Sequence, residues 1–596
     1  MLKPRKKYNT LFNRRLFLLC SIKLLASTVV IERLYNLQIR QADKYKKLAD
    51  NNRVNLSFII PSRGLILDRN NKLLADNEER YQLILKTYNI ENKLSALNNI
   101  YKYIDLPEKK KLDLNKKIFE NKKIVLVKQN MKWSEVAKIS SNITELEGVY
   151  IEMVLVRRYI SQAASHIIGY VGRPEKEESP KLSKVEGTSI GKLAVEAAYD
   201  TKLQGKFGYK KEEVNAHGRV VNEISRVNGI SGSDINLSIS KELQNFSYSR
   251  LGSEAGSIVV LDIKTGEILA LVSNPSFNSN DFIGEMREDR WKEIINNKLN
   301  PLFNRATKGT YPPGSIFKLM VVLAAYNLND FNPNKKFFCN GSYQVGNQIF
   351  HCWNDEGHGF VNCSDAVAVS CDCYFYDLSL RVGIDNIYEM ARKFGFGNSY
   401  LENIFNSAKG IIPSKNWKKN QYGRTWNKTD TVVTSIGQGF TLASPLQLAV
   451  MISRIANDGI EISPTLIKKD KNFENINYLD GINEEGIKLI KSAMFDAVNS
   501  ANGTAFQSRL QSKSLMCGKT ATSQVRRISM QERQEGIVKN EDLPRKQRDH
   551  ALFAGYYPHI NPRFGFSIVV EHGGSGSKSA APIARDLCNK LKLIKI

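Results

Sequence analysis

The octapeptide Tyr311-Pro312-Pro313-Gly314-Ser315-Ile316-Phe317-Lys318 constrains this chain more than any other stretch. Pro-Pro-Gly ends whatever precedes it, and an unbroken apolar run, Leu319 to Tyr326, follows. The pattern predicts a buried helix with Ser315 at or near its N-terminus. Ser315 and Lys318 are three residues apart, so a helix puts them on one face, with Cβ atoms roughly 5–6 Å apart. A serine hydroxyl becomes a nucleophile when a neighbouring base takes its proton. A buried lysine qualifies as that base, because burial lowers its pKa. Ser-x-x-Lys is common by chance, and a capping serine followed by a solvated lysine reads the same way. The rest of the chain has to decide.

Composition decides little. With 596 residues, two to four domains are expected. The net charge of +26 points to nucleic acid, anionic lipid or a phosphorylated lipid substrate. The excess is spread along the chain, and no zinc finger or nucleotide-binding glycine loop accompanies it, so nucleic acid is not expected as a partner. The N-terminus is more informative. Lys3, Arg5, Lys6, Lys7, Arg14 and Arg15 precede the apolar run Leu16–Ile31, which Lys23 and small polar residues interrupt. That run spans about 24 Å as a helix, slightly short of a hydrocarbon core of about 30 Å. Flanking arginines can reach the interfaces, and the basic flank places the N-terminus in the cytoplasm. A signal peptide cleaved near Ala26-Ser27-Thr28 is the competing reading. Val29-Val30-Ile31 continue the apolar run and favour an uncleaved anchor.

Residues 40 to 235 read as strand-rich, with a turn-and-strand signal at Pro61–Asn70 and a Lys/Asn/Leu-rich accessory stretch over 86–150. A boundary falls near Ser231-Gly232-Ser233. Beyond it, Gly256–Asp262 and Glu267–Val272 read as strands around a Lys-Thr-Gly turn. Helical segments are expected at 315–329, 363–382 and 444–457, and a second strand pair at Ala551–Tyr557 and Phe564–Glu571. Strands first, helices in the middle and strands last predict an α+β domain, one antiparallel sheet covered by helices.

Two further triplets accompany Ser315-x-x-Lys318. Ser370-Cys371-Asp372 falls in or beside a helix expected at Asp365–Leu380. Lys519-Thr520-Ala521 falls in a strand expected at Met516–Val525. In this order and context, the chain resembles the penicillin-binding proteins, in particular the monofunctional, membrane-anchored class B transpeptidases. Arg63-Gly64 with Asp68-Arg69-Asn70 is similar to the family's pedestal signature. Asn304-Arg305-Ala306, Gly437-Gln438-Gly439 and Gly503-Thr504-Ala505 also fall in family-like contexts. His351-Cys352-Trp353, Gly357-His358-Gly359 and Tyr374-Phe375-Tyr376 resemble the elongation branch.

The resemblance implies a peptidoglycan D,D-transpeptidase that crosslinks stem peptides ending in D-Ala-D-Ala and is inhibited by β-lactams. It assigns Ser315 as nucleophile, Lys318 as base, Ser370 as proton relay, and Asp372 and Lys519 as holders of the hydrogen-bond network. Lys519 and Thr520 bind the substrate carboxylate, and the backbone N–H groups of Ser315 and Thr522 hold the oxyanion. The chemistry needs no cofactor. Because no glycosyltransferase module precedes the pedestal, the resemblance also implies a SEDS-type glycosyltransferase and elongation-complex scaffold proteins as partners. Two positions depart from the usual pattern: Asp372 stands where Asn is common, and Ala521 puts a methyl where Gly leaves room beside the ligand.

Five of the eight cysteines lie within 339–373. Cys339, Cys352, His358 and Cys371 are ligand types that suit a tetrahedral zinc. Some elongation-type relatives carry zinc near the serine, with residues matching His358 and Cys371. A Cys339–Cys352 disulfide, favoured on the oxidising side of a membrane, and plain buried thiols are the alternatives.

The expected organisation is a cytoplasmic tail (1–15), a transmembrane anchor (16–34), a pedestal or dimerisation-type domain (35–235) and a transpeptidase domain (236–596). It places the bulk of the protein in the periplasm, on a single-pass inner-membrane anchor. The alternatives are a division-specific transpeptidase and a β-lactam-binding scaffold or sensor.

Overall fold

The structure is a computed structural model. It describes residues 8–594 except 47–53, 88–89, 121, 123, 181, 183–186, 215–219, 285, 470–476, 527, 530–531 and 533–535. The chain divides into two compact units. One comprises residues 1–61, 79–154 and 206–230, and the other residues 62–78, 155–205 and 231–596.

The smaller unit opens with the helix Tyr8–Tyr35, which runs into a π-helical turn, Asn36–Arg40. Lys3, Arg5, Lys6 and Lys7 of the basic flank lie outside the described residues. The expected apolar run is helical. However, no helix among the described residues is long and apolar enough to cross a membrane. The physical reason is in the run itself, where Lys23 and the hydroxyls of Ser21, Ser27 and Thr28 dilute its hydropathy. Further along, an antiparallel sheet pairs Val54–Ile59 with Gly208–Val214 and that strand with Val220–Val227. A separate core joins the helices Lys93–Tyr101, Glu108–Phe119 and Trp133–Ser141 to the strand Ile124–Met131 through Leu97, Ile100, Leu114, Val125, Val127 and Ile139.

The larger unit is built on a five-stranded antiparallel sheet. Its order is Ile268–Asn274, Gly256–Asp262, Phe564–Val570, His550–Tyr557, Cys517–Ser523. Side chains alternate across a strand, and here both faces are covered. Ile258 and Val260 pack toward Leu251, Ile583, Ala584 and Leu587, from the helices Lys241–Leu251 and Ala581–Leu593. Val259 and Leu261 pack with Leu446, Ala449 and Val450 of the helix Pro445–Ala456. A strand covered on both faces needs a continuous apolar run, which explains why Ser257-Ile258-Val259-Val260-Leu261 shows no polar alternation. The sheet and its helix cover are the mixed α+β architecture expected.

The segments around Arg63 and Arg157 belong to this same larger unit. Glu196, fully buried, accepts from Arg63 Nε and Arg157 Nε at 2.7 Å each, and Asp200 meets Arg63 at 2.7 Å. Removing Glu196 would leave the buried Arg157 guanidinium without its ion-pair partner and Arg63 with Asp200 alone, so these charges hold the fold together.

A helical cluster lies beside the sheet. Every residue of the helix Lys318–Ala325 is buried, as the apolar run requires. The helix predicted over 365–380 is instead two helices, Cys363–Ala368 and Asp372–Val382. Ser370 between them adopts φ 59°, a left-handed conformation that breaks α-helical continuity.

Candidate active site

Local sequence chemistry first fixes the nucleophile turn. Gly314 (φ 54°) starts a 3-10 turn, Gly314–Ile316, and the α-helix begins only at Lys318. Gly314 donates its N–H to Gly437 O at 3.0 Å. A Cβ on Gly437 would lie 2.3 Å from Gly314 O, so only glycine permits this approach. Ser315 is left half-buried while Ile316, Phe317 and Lys318 are fully enclosed. Ser315 is therefore half-buried on the turn that leads into the helix of the enclosed Lys318.

Lys318 Nζ donates to Asp372 Oδ1 at 2.6 Å, Ser370 O at 2.9 Å and Ser370 Oγ at 3.2 Å. The first two motifs thus meet directly, and the break at Ser370 makes this possible. The left-handed residue turns its carbonyl and hydroxyl toward Lys318, where a continuous helix would have kept the carbonyl in its own ladder. Lys519 is fully buried on its strand. Burial pushes its amine well below the usual lysine range; the charge of Lys318 adds to the effect and Asp372 opposes it. The Asp372 carboxylate thus stands near both enclosed amines, bonded to Lys318 and acting on Lys519 by charge alone.

Thr520 Oγ1 donates to Thr504 Oγ1 at 2.8 Å, which ties the strand to Gly503-Thr504-Ala505. Thr522 O accepts from Gln438 Nε2 at 3.1 Å, and Thr522 Oγ1 accepts the Gly576 N–H at 3.4 Å. Ser523 Oγ donates to Pro312 O, joining the same strand to the nucleophile turn. The Ala521 methyl is buried and lies 3.1 Å from the place a Gly314 Cβ would occupy. It fills the seam between strand and turn, whereas the sequence reading had put this methyl beside the ligand.

Sequence reasoning missed Trp353 as a working part of the site. Its backbone N–H donates to Asp372 Oδ2 at 2.9 Å. Its indole N–H is shared between Ser370 O at 3.0 Å and Val369 O at 3.2 Å. One residue therefore holds both the carboxylate partner of Lys318 and the left-handed turn. Its place in the triplet His351-Cys352-Trp353 was the signal available. Gln438, noticed only as part of a Gly-Gln-Gly stretch, braces the strand from the other side.

The structure also gathers the four soft ligands. Cys339, Cys352, His358 and Cys371 place their donor atoms within 4.8 Å of one another. His358 Nδ1 lies 3.5 Å from Cys352 Sγ and 3.8 Å from Cys339 Sγ, and the three thiols are buried. All eight cysteines are free, so Cys339 and Cys352 do not form the disulfide considered from sequence. Ligands of a tetrahedral ion with bonds of about 2.0–2.3 Å lie roughly 3.3–3.8 Å apart, and the two separations between His358 and the thiols fall in that range. Cys371 sits between Ser370 and Asp372, so anything that fixes the cluster also fixes the catalytic break.

Comparison with known proteins agrees with this geometry. Residues 256–589 match the penicillin binding protein transpeptidase domain, and residues 58–237 match the penicillin-binding protein dimerisation domain. The peptidoglycan D,D-transpeptidase MrdA of Acinetobacter baumannii is 32% identical, over 98% of this chain and 88% of that protein. MrdA of Haemophilus influenzae is 30% identical, over 98% of this chain and 92% of its own length. Among solved structures, the Helicobacter pylori penicillin-binding protein PBP2 in complex with MreC superimposes with a TM-score of 0.78 at 28% identity, covering 91% of this chain and 99% of that one. Pseudomonas aeruginosa PBP2 in complex with WCK 5153 gives 0.67 at 28% identity, over 91% and 97%. With a serine, two buried lysines and a carboxylate assembled on a matching scaffold over nearly its full length, the chain belongs to the penicillin-binding protein transpeptidases.

Proposed function

We propose that this chain is the peptidoglycan D,D-transpeptidase of cell-wall elongation. The observation that carries the chemistry is the convergence on Lys318, whose Nζ contacts Ser370 Oγ and Asp372 three residues from the half-buried Ser315. The full-length likeness to proteins named MrdA and PBP2 supports the elongation branch over a division-type enzyme or a sensor.

In this reading, Ser315 Oγ attacks the carbonyl of the penultimate D-alanine while Lys318 takes its proton. The backbone N–H groups of Ser315 and Thr522 stabilise the oxyanion, and losing one such donor costs on the order of 10²–10³ in rate. As the amide C–N bond breaks, Ser370 relays a proton to the departing D-alanine amine. The amine of a second stem peptide then attacks the Ser315 ester. It gives up a proton, forms the crosslinking amide and regenerates the serine hydroxyl. Lys519 and Thr520 hold the terminal carboxylate of the donor peptide. Asp372 positions Lys318 and does not react.

Zinc is proposed for Cys339, Cys352, His358 and Cys371, where it would act as a structural crosslink. Metal analysis of wild type against Cys371→Ser tests it; equal metal content in both would exclude the site.

Anchoring of the helix Tyr8–Tyr35 in the inner membrane, with the bulk of the chain periplasmic, rests on three features. These are the basic flank, the exposed Leu16, Phe17, Leu24, Leu25, Val29 and Val30, and the helix-internal bonds of Ser21 and Thr28 hydroxyls to Phe17 O and Leu24 O at 2.8 Å. The expected residue boundaries, with a pedestal to 235 and a transpeptidase domain from 236, are retained as a proposal. A glycan polymerase of SEDS type and a scaffold protein are the partners proposed, the scaffold by analogy with the MreC complex of the Helicobacter pylori protein.

Fluorescent penicillin labelling of wild type and Ser315→Ala tests the function. Labelling of wild type alone is expected. Equal labelling of both would remove Ser315 as the nucleophile, and labelling of neither would favour a non-catalytic scaffold.

A further inference from the structure

The larger unit contains a second concave site that the transpeptidase chemistry does not use. It is a cavity of about 400 Å³ between the C-terminal end of the helix Lys241–Leu251, the start of the helix Ala581–Leu593 and the segment around Arg545–Arg548. Arg250, Arg545, Arg548 and Lys578 line it, with His572, against a single lining carboxylate, Glu254. Three of the cations have acidic partners: Arg250 pairs with Asp586 at 2.7 Å, Arg545 with Glu254 at 2.7 Å, and Lys578 with Glu541 at 2.6 Å. Arg548 differs. Its Nε donates to Leu543 O at 2.9 Å and one terminal nitrogen donates to Glu541 O at 3.1 Å. Carbonyls orient a guanidinium without neutralising it. Among the described residues, no carboxylate comes within ion-pair distance of Arg548, and the Glu541 charge acts on it only from further away. A guanidinium carries five N–H donors, so several remain for a ligand.

We propose that this cavity is an accessory binding site for a small multivalent oxyanion of phosphate or carboxylate type. Arg548 presents an oriented, half-buried fork, the geometry that receives such oxygens pairwise. Arg545, Lys578 and Arg250 surround it. The pairs of Arg545 with Glu254 and Lys578 with Glu541 are solvent-exposed and contribute little, so an anion carrying two or more charges can exchange with those carboxylates. The site also lies behind the loop that borders the catalytic strand. His572 donates its N–H to His550 Nδ1 at 3.0 Å, the His550 ring stands edge-on to Tyr311 at 5.4 Å, and Gly576 contacts Thr522 Oγ1 at 3.4 Å. A ligand here would therefore bear on residues that adjoin the catalytic strand.

The test is isothermal titration of the full-length, detergent-solubilised protein with inorganic pyrophosphate and, separately, citrate, with acetate at matched ionic strength as the monovalent control. Saturable binding of at least one multivalent anion is expected, weakened about tenfold or more by Arg548→Gln, as loss of a charge-assisted pair implies. Penicillin acylation by the variant is expected to match wild type, which shows that it is folded. Should Arg548→Gln fail to acylate, the double substitution Arg545→Gln and Lys578→Gln takes its place, with the same weakening expected. Binding of pyrophosphate alone assigns a phosphate ligand, and binding of citrate alone a carboxylate one. No binding of either anion by wild type, or binding undiminished in the folded variants, overturns the proposal.

Discussion

Replacing Trp353 by Phe isolates one hydrogen bond in the catalytic break. The variant keeps an aromatic ring facing His358, whose centroid lies 5.4 Å from that of Trp353, and it keeps the backbone N–H on Asp372. It loses only the indole N–H shared by Ser370 O and Val369 O. A shared donor counts as one neutral bond, with a net value of about 0.5–1.5 kcal/mol. The side chain is 60% exposed, so water partly replaces the bond and the lower half of that range applies. Against this stands the left-handed Ser370, a conformation costing an L-residue roughly 1–2 kcal/mol. Losing about 1 kcal/mol of support depopulates the turn that presents Ser370 Oγ to Lys318, and corresponds to roughly fivefold in rate. Stopped-flow acylation by a fluorescent penicillin, measured from pH 6 to 10, is the assay. A fivefold fall is expected, because the turn at Ser370 presents its hydroxyl to Lys318. Acylation within twofold of wild type would refute the claim that Trp353 holds the break.

Gly437→Ala places a methyl 2.3 Å from Gly314 O at a residue with φ 66° and should displace the nucleophile turn. Acylation is expected to fall by more than about tenfold, as a loss of 1.4 kcal/mol or more implies, with thermal melting reporting the accompanying destabilisation. Lys519 makes stability pH-dependent. Its folded pKa lies below the ordinary 10.5, so the unfolded chain binds more protons between the two values, and stability rises with pH across that window. Denaturant melts should show this rise in wild type and a flatter profile in Lys519→Met; parallel profiles would contradict the burial argument. Glu196→Gln should destabilise the protein by about 3 kcal/mol or more by leaving the buried Arg157 without its anion and Arg63 with Asp200 alone, visible as an earlier urea midpoint.

Much of this was legible in the sequence because the physics is local. The apolar run after Lys318 has no polar face, so its helix had to be enclosed. The Ile258-Val259-Val260-Leu261 run had to be a strand covered on both sides. The helix break at Ser370 was not legible. Val367 to Tyr376 contains no Gly or Pro, and a left-handed serine there is held by Lys318 and Trp353 from elsewhere in the chain. The same limit applied to Cys339 and Cys352. Their spacing admitted a disulfide or a metal set, and only folding around His358 showed two free thiols.

The sequence by itself determined the chemical repertoire and its order along the chain: a serine and lysine on one turn, a second serine with a carboxylate, and a lysine on a strand. Periodicity and residue type act over a few residues, and they are enough for that. Only the tertiary structure decided that Lys318 bonds Ser370 and Asp372, that Lys519 shares their enclosure, that Ala521 fills a seam, and that Trp353 closes the arrangement. These relations join residues up to about two hundred positions apart. Their energies come from burial and from hydrogen bonds made after the chain has closed on itself, and no local pattern records them.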